Sequence, residues 1–207
     1  MCPNQPEAPQ EESSPSILEV NEYVSNILDL RYDLDSRTIY VMEPICSELA
    51  ERFIITLNFL DMIGEDPIRL VLSSPGGEET AGYAMFDAIR LAKCQVNIEG
   101  IGEVSSIAAV VIQAGDVRSM SENAVFMIHN GSIALGHMEQ DKVQSVSRQI
   151  ERGNAKYHKL LASRSALFIE EIRKMSEAET FLTAEEALEA GFIDEILIPT
   201  KKLSSGK

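Results

Sequence analysis

The chain has 207 residues, 44% of them hydrophobic, so it can bury one sizeable core and suits one globular domain better than two. Its formal net charge of −15, from 33 acidic and 18 basic residues, opposes a general affinity for phosphate backbones. We therefore expect no nucleic-acid partner.

The lack of recognisable targeting or membrane-spanning segments, together with the spacing of the cysteines, predicts a cytoplasmic protein. The first thirty residues contain no Lys or Arg and no long apolar run, so they lack the features of a secretory signal. No segment reaches the roughly 18 uninterrupted apolar residues that a membrane span requires. Cys2, Cys46 and Cys94 are odd in number and widely spaced, which predicts free thiols rather than disulfides or a four-ligand zinc site.

The N-terminal residues 1–16 hold half of the chain's eight prolines and few apolar side chains, a composition typical of a flexible arm. Apolar residues return from residue 17, and Thr38–Val41 has the β-rich pattern of a strand. We expect a single domain over residues 17–200, followed by a polar tail over 201–207.

Helical and strand patterns alternate between residues 46 and 128. Apolar spacing predicts helices over 46–62, 80–92 and 106–114, the last closed by Gly115, and strands over 68–72, 96–101 and 124–128. The run from Ser74 to Gly77 predicts a turn into the second helix. This alternation is typical of an α/β domain with layered sheets.

The C-terminal part contains a long amphipathic pattern. Apolar residues spaced by three and four predict a helix over 138–163, with a stripe formed by Val143, Val146, Ile150, Tyr157 and Leu160. The run from Thr183 to Glu186 has the form of a capping box, and Gly191 stands where a left-handed C-cap would lie. These signals predict a short helix over 184–190.

Two adjacent serines, Ser105 and Ser106, precede the small-residue helix. Serines in this position commonly cap a helix by accepting hydrogen bonds from its free amides. A serine on a tight turn at a helix N-terminus also sits where amides and the helix dipole favour developing negative charge. A nucleophilic role requires a base, and of His129, His137 and His158 the first is best placed, because it ends an apolar strand. A structural role for His129 is the alternative.

Four ordered blocks carry a family resemblance. They are "LSSPGGEETAGYAMFDAIR" from Leu72, "GEVSSIAA" from Gly102, "FMIH" from Phe126 and "FLTAEEALEAGFIDEI" from Phe181. Over about residues 36–198 the chain resembles the ClpP peptidases. The resemblance implies a crotonase-type α/β fold of repeated β-β-α units with a protruding long handle helix.

The resemblance also implies site roles. Ser106 would be the nucleophile, with Ser105 a neighbouring cap or turn residue, and His129 the base. The oxyanion would be held by the backbone amides of Gly77 and Ile107. The third member falls on Glu179, where the family has Asp; Ser-His-Glu triads exist in other hydrolases, and a solvated loop acid is the alternative.

Further departures concern the cleft and the assembly. Asn130-Gly131 stands where the family usually has Gln-Pro after the histidine, and the Gly-rich strand is reduced to residues 132–136, so the substrate-pairing edge is expected to differ. Ala178 replaces an Arg that the family uses between rings, which predicts weaker ring pairing.

The expected function is therefore a serine endopeptidase acting on unfolded polypeptides. By resemblance it would form a homo-oligomeric heptameric ring, single or paired into a double ring, with no metal or organic cofactor. An ATP-dependent unfoldase of the AAA+ type would be a separate partner, since the chain has no phosphate-binding Gly-Lys loop. The alternatives are a non-catalytic ring subunit and an acyl-CoA enzyme on the same fold.

Overall fold

The computed structural model describes residues 31–131 and 140–199, without side chains for 140–143. From Tyr32 onward the described residues belong to one compact unit. The expected arm over 1–16, the domain start at residue 17, the tail over 201–207 and His137 lie outside the described residues. No helix in the described part of the chain is both long and apolar enough to cross a membrane.

The described strands form one mixed sheet. They are β1 (Tyr32–Asp33), β2 (Thr38–Val41), β3 (Ile68–Ser74), β4 (Val96–Ser105), β5 (Val117–Ser121), β6 (Val125–Ile128), β7 (Thr180–Leu182) and β8 (Glu195–Leu197). The main order is β1-β2-β3-β4-β5-β8, and β6 and β7 branch from β4. Only β1 and β7 run antiparallel to their neighbours among these strands.

Six α-helices of the described chain pack around this sheet. They are α1 (Ser47–Ile63), α2 (Glu79–Leu91), α3 (Ile107–Val111, continued by a 3₁₀ turn over Ile112–Ala114), α4 (Gln140–Arg164), α5 (Ile169–Glu177) and α6 (Ala184–Glu189). The mixed α/β architecture and the long helix agree with the sequence prediction. Strand β2 and helices α1, α2, α4 and α6 lie within two residues of their predicted bounds.

Strand β4 forks the sheet. Its first half pairs with β5 from Asn97 to Gly100, and its second half pairs with β6 from Glu103 to Ser105. The change of partner falls at Gly102, whose φ of 74° lies in the left-handed region. The sequence predicted only the first half of β4, because the second half is polar and bends away. The fork directs the chain toward the site residues that follow β4 and β6.

Helix α3 lies at the centre of the core. All five of its residues are buried, with Ala108 and Ala109 fully inaccessible. Helix α2 crosses it closely, because Gly82 packs directly against the Ile107 side chain. A side chain at residue 82 would collide with Ile107. This packing fixes where the N-terminus of α3 points.

The predicted ends of α6 and α3 are confirmed. Thr183 caps α6 by accepting from the Glu186 amide at 3.2 Å, and Gly191 has the expected left-handed φ of 75°. Gly115 closes α3 and its 3₁₀ turn as predicted, with a φ of −63°. Glycine is needed there for space, since a Cβ would lie 2.8 Å from the Ile98 side chain.

Candidate active site

Ser106 occupies the sharp turn between β4 and α3. Its φ of 57° and ψ of −124° are sparsely populated for a residue with a side chain. The turn is held by the Ser106 amide, which donates to the Met127 carbonyl of β6 at 2.9 Å. A strained serine between a strand and a buried helix presents its hydroxyl outward at the helix N-terminus, the arrangement of a nucleophile elbow.

His129 follows β6 directly and lies beside Ser106. Strands β4 and β6 are parallel neighbours with Ser105 opposite Met127, so both chains leave the sheet at the same edge. The Ser106 Oγ and His129 Nε2 atoms are 2.8 Å apart. With Nε2 unprotonated, the serine hydroxyl donates to it, which is the geometry required for activation of a hydroxyl by a general base.

The backbone amides of Gly77 and Ile107 flank this pair. Ile107 is the first residue of α3, and Gly77 belongs to the turn between β3 and α2. Neither amide donates a hydrogen bond to another residue that the structure describes. Two free amides on facing turns form a suitable site for a carbonyl oxygen that gains negative charge.

Gly76 brings the two turns together. Its φ is 91°, and a Cβ placed on it would lie 2.6 Å from Ser106 Cβ and 2.8 Å from the Ser105 carbonyl oxygen. Gly77 is equally restricted, because a Cβ there would collide with the Ile45 carbonyl. Glycine at both positions is therefore required for the close approach.

The alternative in which the serine side chains cap α3 is not observed. Ser106 is the N-cap residue, but its side chain makes no capping hydrogen bond and contacts His129 instead. Ser105 is the last residue of β4, and its buried Oγ has no hydrogen-bond partner among the described residues.

Glu179 immediately precedes β7. Strand β7 pairs antiparallel with β6 as far as Thr180 opposite Ile128, so Glu179 and His129 are the residues just beyond the last opposed pair. However, the Glu179 side chain is exposed, its φ is 52°, and no hydrogen bond joins it to His129. The chain positions of Glu179 and His129 thus adjoin the same end of the strand pair, but the described contacts include none between their side chains.

Tyr157 forms a hydrogen bond with the backbone of Ser106, and the sequence did not predict this contact. This α4 residue is 5% exposed, and its hydroxyl donates to the Ser106 carbonyl oxygen at 3.2 Å. Burial raises the pKa of Tyr157, so its hydroxyl remains a donor. The sequence placed Tyr157 in an apolar stripe; the structure buries it against its own domain.

His158 is a second buried histidine near the site. It was predicted on an outer helix, but it is only 6% exposed and its Nε2 lies 2.9 Å from the Asn130 side-chain oxygen. The backbone amide of Asn130 donates a hydrogen bond to the Ser176 carbonyl oxygen at 3.1 Å. These contacts tie the residue after His129 to α4 and α5.

Comparisons with known proteins support this fold at the level of the family and of solved structures. The family model described as Clp protease matches residues 22–200. A solved structure of a ClpP1 mutant from Listeria monocytogenes is similar with a TM-score of 0.75 and 27% sequence identity, over 84% of this chain and 96% of that chain. The matched residues include every described strand and helix, so the predicted fold and family resemblance are confirmed.

Proposed function

Because this chain belongs to the Clp protease family, we propose that it is a serine endopeptidase that hydrolyses peptide bonds of unfolded polypeptides. The 2.8 Å contact between Ser106 Oγ and His129 Nε2 carries the proposal. Residues 17–200 act as a single peptidase domain, and the reaction uses no metal or organic cofactor.

The reaction begins with Ser106. Its Oγ attacks the scissile carbonyl carbon while His129 Nε2 accepts the hydroxyl proton. The carbonyl oxygen becomes negatively charged and accepts hydrogen bonds from the Gly77 and Ile107 amides, whose free N–H groups favour this role. His129 then protonates the leaving amine, and water hydrolyses the acyl-enzyme by the reverse steps.

Glu179 is the third member in this proposal. It would accept a hydrogen bond from His129 Nδ1, which holds the imidazole in the tautomer with Nε2 free and stabilises the imidazolium. The antiparallel register with β6 supports the assignment. Contact requires the Glu179 side chain to turn inward from its exposed position, a change that we assign to assembly or substrate binding.

Assembly into rings follows from family membership. We propose heptameric rings that enclose the sites, with the unfoldase as a separate chain. The exposed Ala178 replaces a basic residue used between rings in the family, which supports weak pairing of two rings.

Labelling with a fluorophosphonate, followed by intact mass and peptide mapping, tests the nucleophile. The probe should add once, at Ser106, because the neighbouring base and free amides activate that hydroxyl alone. Ser106→Ala should abolish labelling, while Ser105→Ala serves as the matched control and should retain it. Addition at Ser105, or labelling that persists in Ser106→Ala, would refute the assignment.

A non-catalytic ring subunit is the second candidate, and the exposed side chain of Glu179 favours it. Such a subunit would keep the fold and assemble with a paralogue without turnover. The two candidates separate in the same experiment, because a non-catalytic subunit would remain unlabelled at probe concentrations that modify an active serine hydrolase fully.

A further inference from the structure

An acidic pocket opens beside the candidate oxyanion site. It has a volume of about 330 Å³, and its lining includes Gly77, Glu78, Glu79, Thr80, Gly131 and Ile150. This size is at the small end of ligand sites and accommodates one side chain rather than a folded segment. Gly77 carries a free amide and Gly131 lies two residues after His129, so the pocket adjoins the proposed point of cleavage.

We propose that this pocket binds the side chain of the substrate residue that supplies the scissile carbonyl, and that Glu79 makes it select Lys or Arg. The inference rests on the proposed peptidase function and adds the substrate class. It concerns the choice of side chain, whereas Ser106 and His129 perform the chemistry.

Two glycines face the Glu79 carboxylate. Its carboxylate lies against the Cα of Gly131, where any Cβ would collide with Oε1, and a Cβ at Gly153 of α4 would be 3.0 Å from Oε2. Both glycines leave room for the carboxylate. Gly153, which weakens the helical propensity of α4, thus has a packing reason.

Among the described residues, the Glu79 carboxylate has no counter-ion. It is half-buried, and it makes no hydrogen bond or ion pair with any residue in the described ranges. Because the carboxylate is partly shielded from solvent, a cation bound beside it would form an ion pair that is less screened than one on the open surface. The Lys156 ammonium does not fill this role, because it lies over the Tyr83 ring, 3.6 Å from the centroid.

The surroundings keep the pocket negative and suit a long cationic side chain. Burial and the charge of Glu79 together raise the pKa of Tyr83 to about 12, so the neighbouring phenol stays neutral. Glu78 adds a second carboxylate, although its Oε2 already accepts from Ser47 Oγ at 2.7 Å. Ile150 offers an apolar wall for the methylene stem of Lys or Arg. A purely aliphatic side chain would leave Glu79 unpaired.

Two diphenyl phosphonate probes that differ only in carrying a lysine or a leucine side chain test the proposal. Each modifies the nucleophile once, so the labelling rate of Ser106 by intact mass reports pocket fit without turnover. We expect the lysine probe to react about 10- to 100-fold faster, the worth of one hydrogen bond to a charged group. Glu79→Gln should reduce this ratio to about one, and Glu78→Gln should reduce it less.

Glu189→Gln is the control, since it removes the same charge from an exposed position at the end of α6 outside the pocket. Its lysine-to-leucine ratio should equal that of the wild type. A wild-type ratio of one or below, or a ratio unchanged in Glu79→Gln, would overturn the inference. A simple fluorophosphonate without a side chain separates the two levels, because its failure to label Ser106 would refute the peptidase function itself.

Discussion

Replacement of Gly76 by alanine tests whether close contact between the two turns sets the nucleophile. The new Cβ would lie 2.6 Å from Ser106 Cβ, 2.8 Å from the Ser105 carbonyl oxygen and 3.1 Å from the Ile107 amide. Two of these atoms are backbone, so they cannot move aside by a change of rotamer. We expect Gly76→Ala to destabilise the fold and to displace Ser106 from His129.

The cost has two parts. Alanine in the left-handed region costs about 1–2 kcal/mol, and roughly half of that is offset because alanine has less freedom in the unfolded chain. Crowding in a packed region adds about 1–3 kcal/mol. The sum is a loss of about 2–4 kcal/mol, which corresponds to a melting temperature lower by about 5–15 °C for a domain of this size.

Gly102→Ala is the matched control. Gly102 has a similar φ of 74°, but a Cβ there would meet only the Ser73 hydroxyl, at 3.4 Å. It should lose about 1 kcal/mol and keep wild-type fluorophosphonate labelling, whereas Gly76→Ala should label at least tenfold more slowly. Thermal unfolding and labelling kinetics measure both effects. Equal stability and equal labelling of the two variants would show that contact between the turns does not position Ser106.

The remaining predictions concern the third member, a buried histidine and the assembly. Glu179→Ala should lower turnover of a short peptide ester by about 10²–10⁴-fold, with Glu179→Asp partly active; full activity of the alanine variant would exclude Glu179 as the third member. Burial of His158 lowers its pKa below the unfolded value near 6.5, so the unfolded chain binds the proton first and stability is lost as pH falls below about 6.5. Urea unfolding at pH 7.5 and 5.5 should show a smaller loss for His158→Gln than for the wild type, and an equal loss would contradict this. Native mass spectrometry should show a heptamer whose pairing weakens on dilution and at high salt, and Ala178→Arg should strengthen it; a double ring stable at nanomolar concentration would refute weak pairing.

The elements predicted correctly from sequence are those with strong apolar patterns. Strand β2 has its predicted bounds, Thr38–Val41, because it is a short β-rich run that is mostly buried. Helix α1 is displaced by only one residue at each end, because its buried residues repeat with helical spacing. Strand β7, over Thr180–Leu182, has no buried residue, and it exists because it pairs with β6. Such pairing depends on distant residues, so local patterns did not reveal it. Helix α5 was missed for a similar reason, since little of its surface is buried.

The closeness of the two candidate residues could be predicted only in part. His129 ends an apolar strand that the sequence predicts, whereas Ser106 was located only by the start of the small-residue helix, because the second half of β4 was not predicted. The structure brings both residues to one edge of the sheet, since β4 and β6 are parallel neighbours. The position of the Glu179 side chain could not be inferred, because it depends on a left-handed backbone at the junction of α5 and β7. The sequence predicted Tyr157 as part of an apolar stripe. Its hydrogen bond to the Ser106 carbonyl depends on how α4 packs against the turn between β4 and α3, which the local pattern does not specify.

The fork of β4 divides the sheet into regions of unequal local stability. The main branch contains seven-residue β3, in which five residues are buried, and the first half of β4, in which buried and half-buried residues alternate. The other branch contains only β6 and β7, of four and three residues, and β7 has no buried side chain. A short strand without buried residues opens at lower free energy than a buried sheet. Backbone amides of β7 and around Glu179 should therefore exchange with solvent deuterium sooner than those of β3, so that Glu179 can be repositioned while the paired strands that precede Ser106 and His129 stay closed.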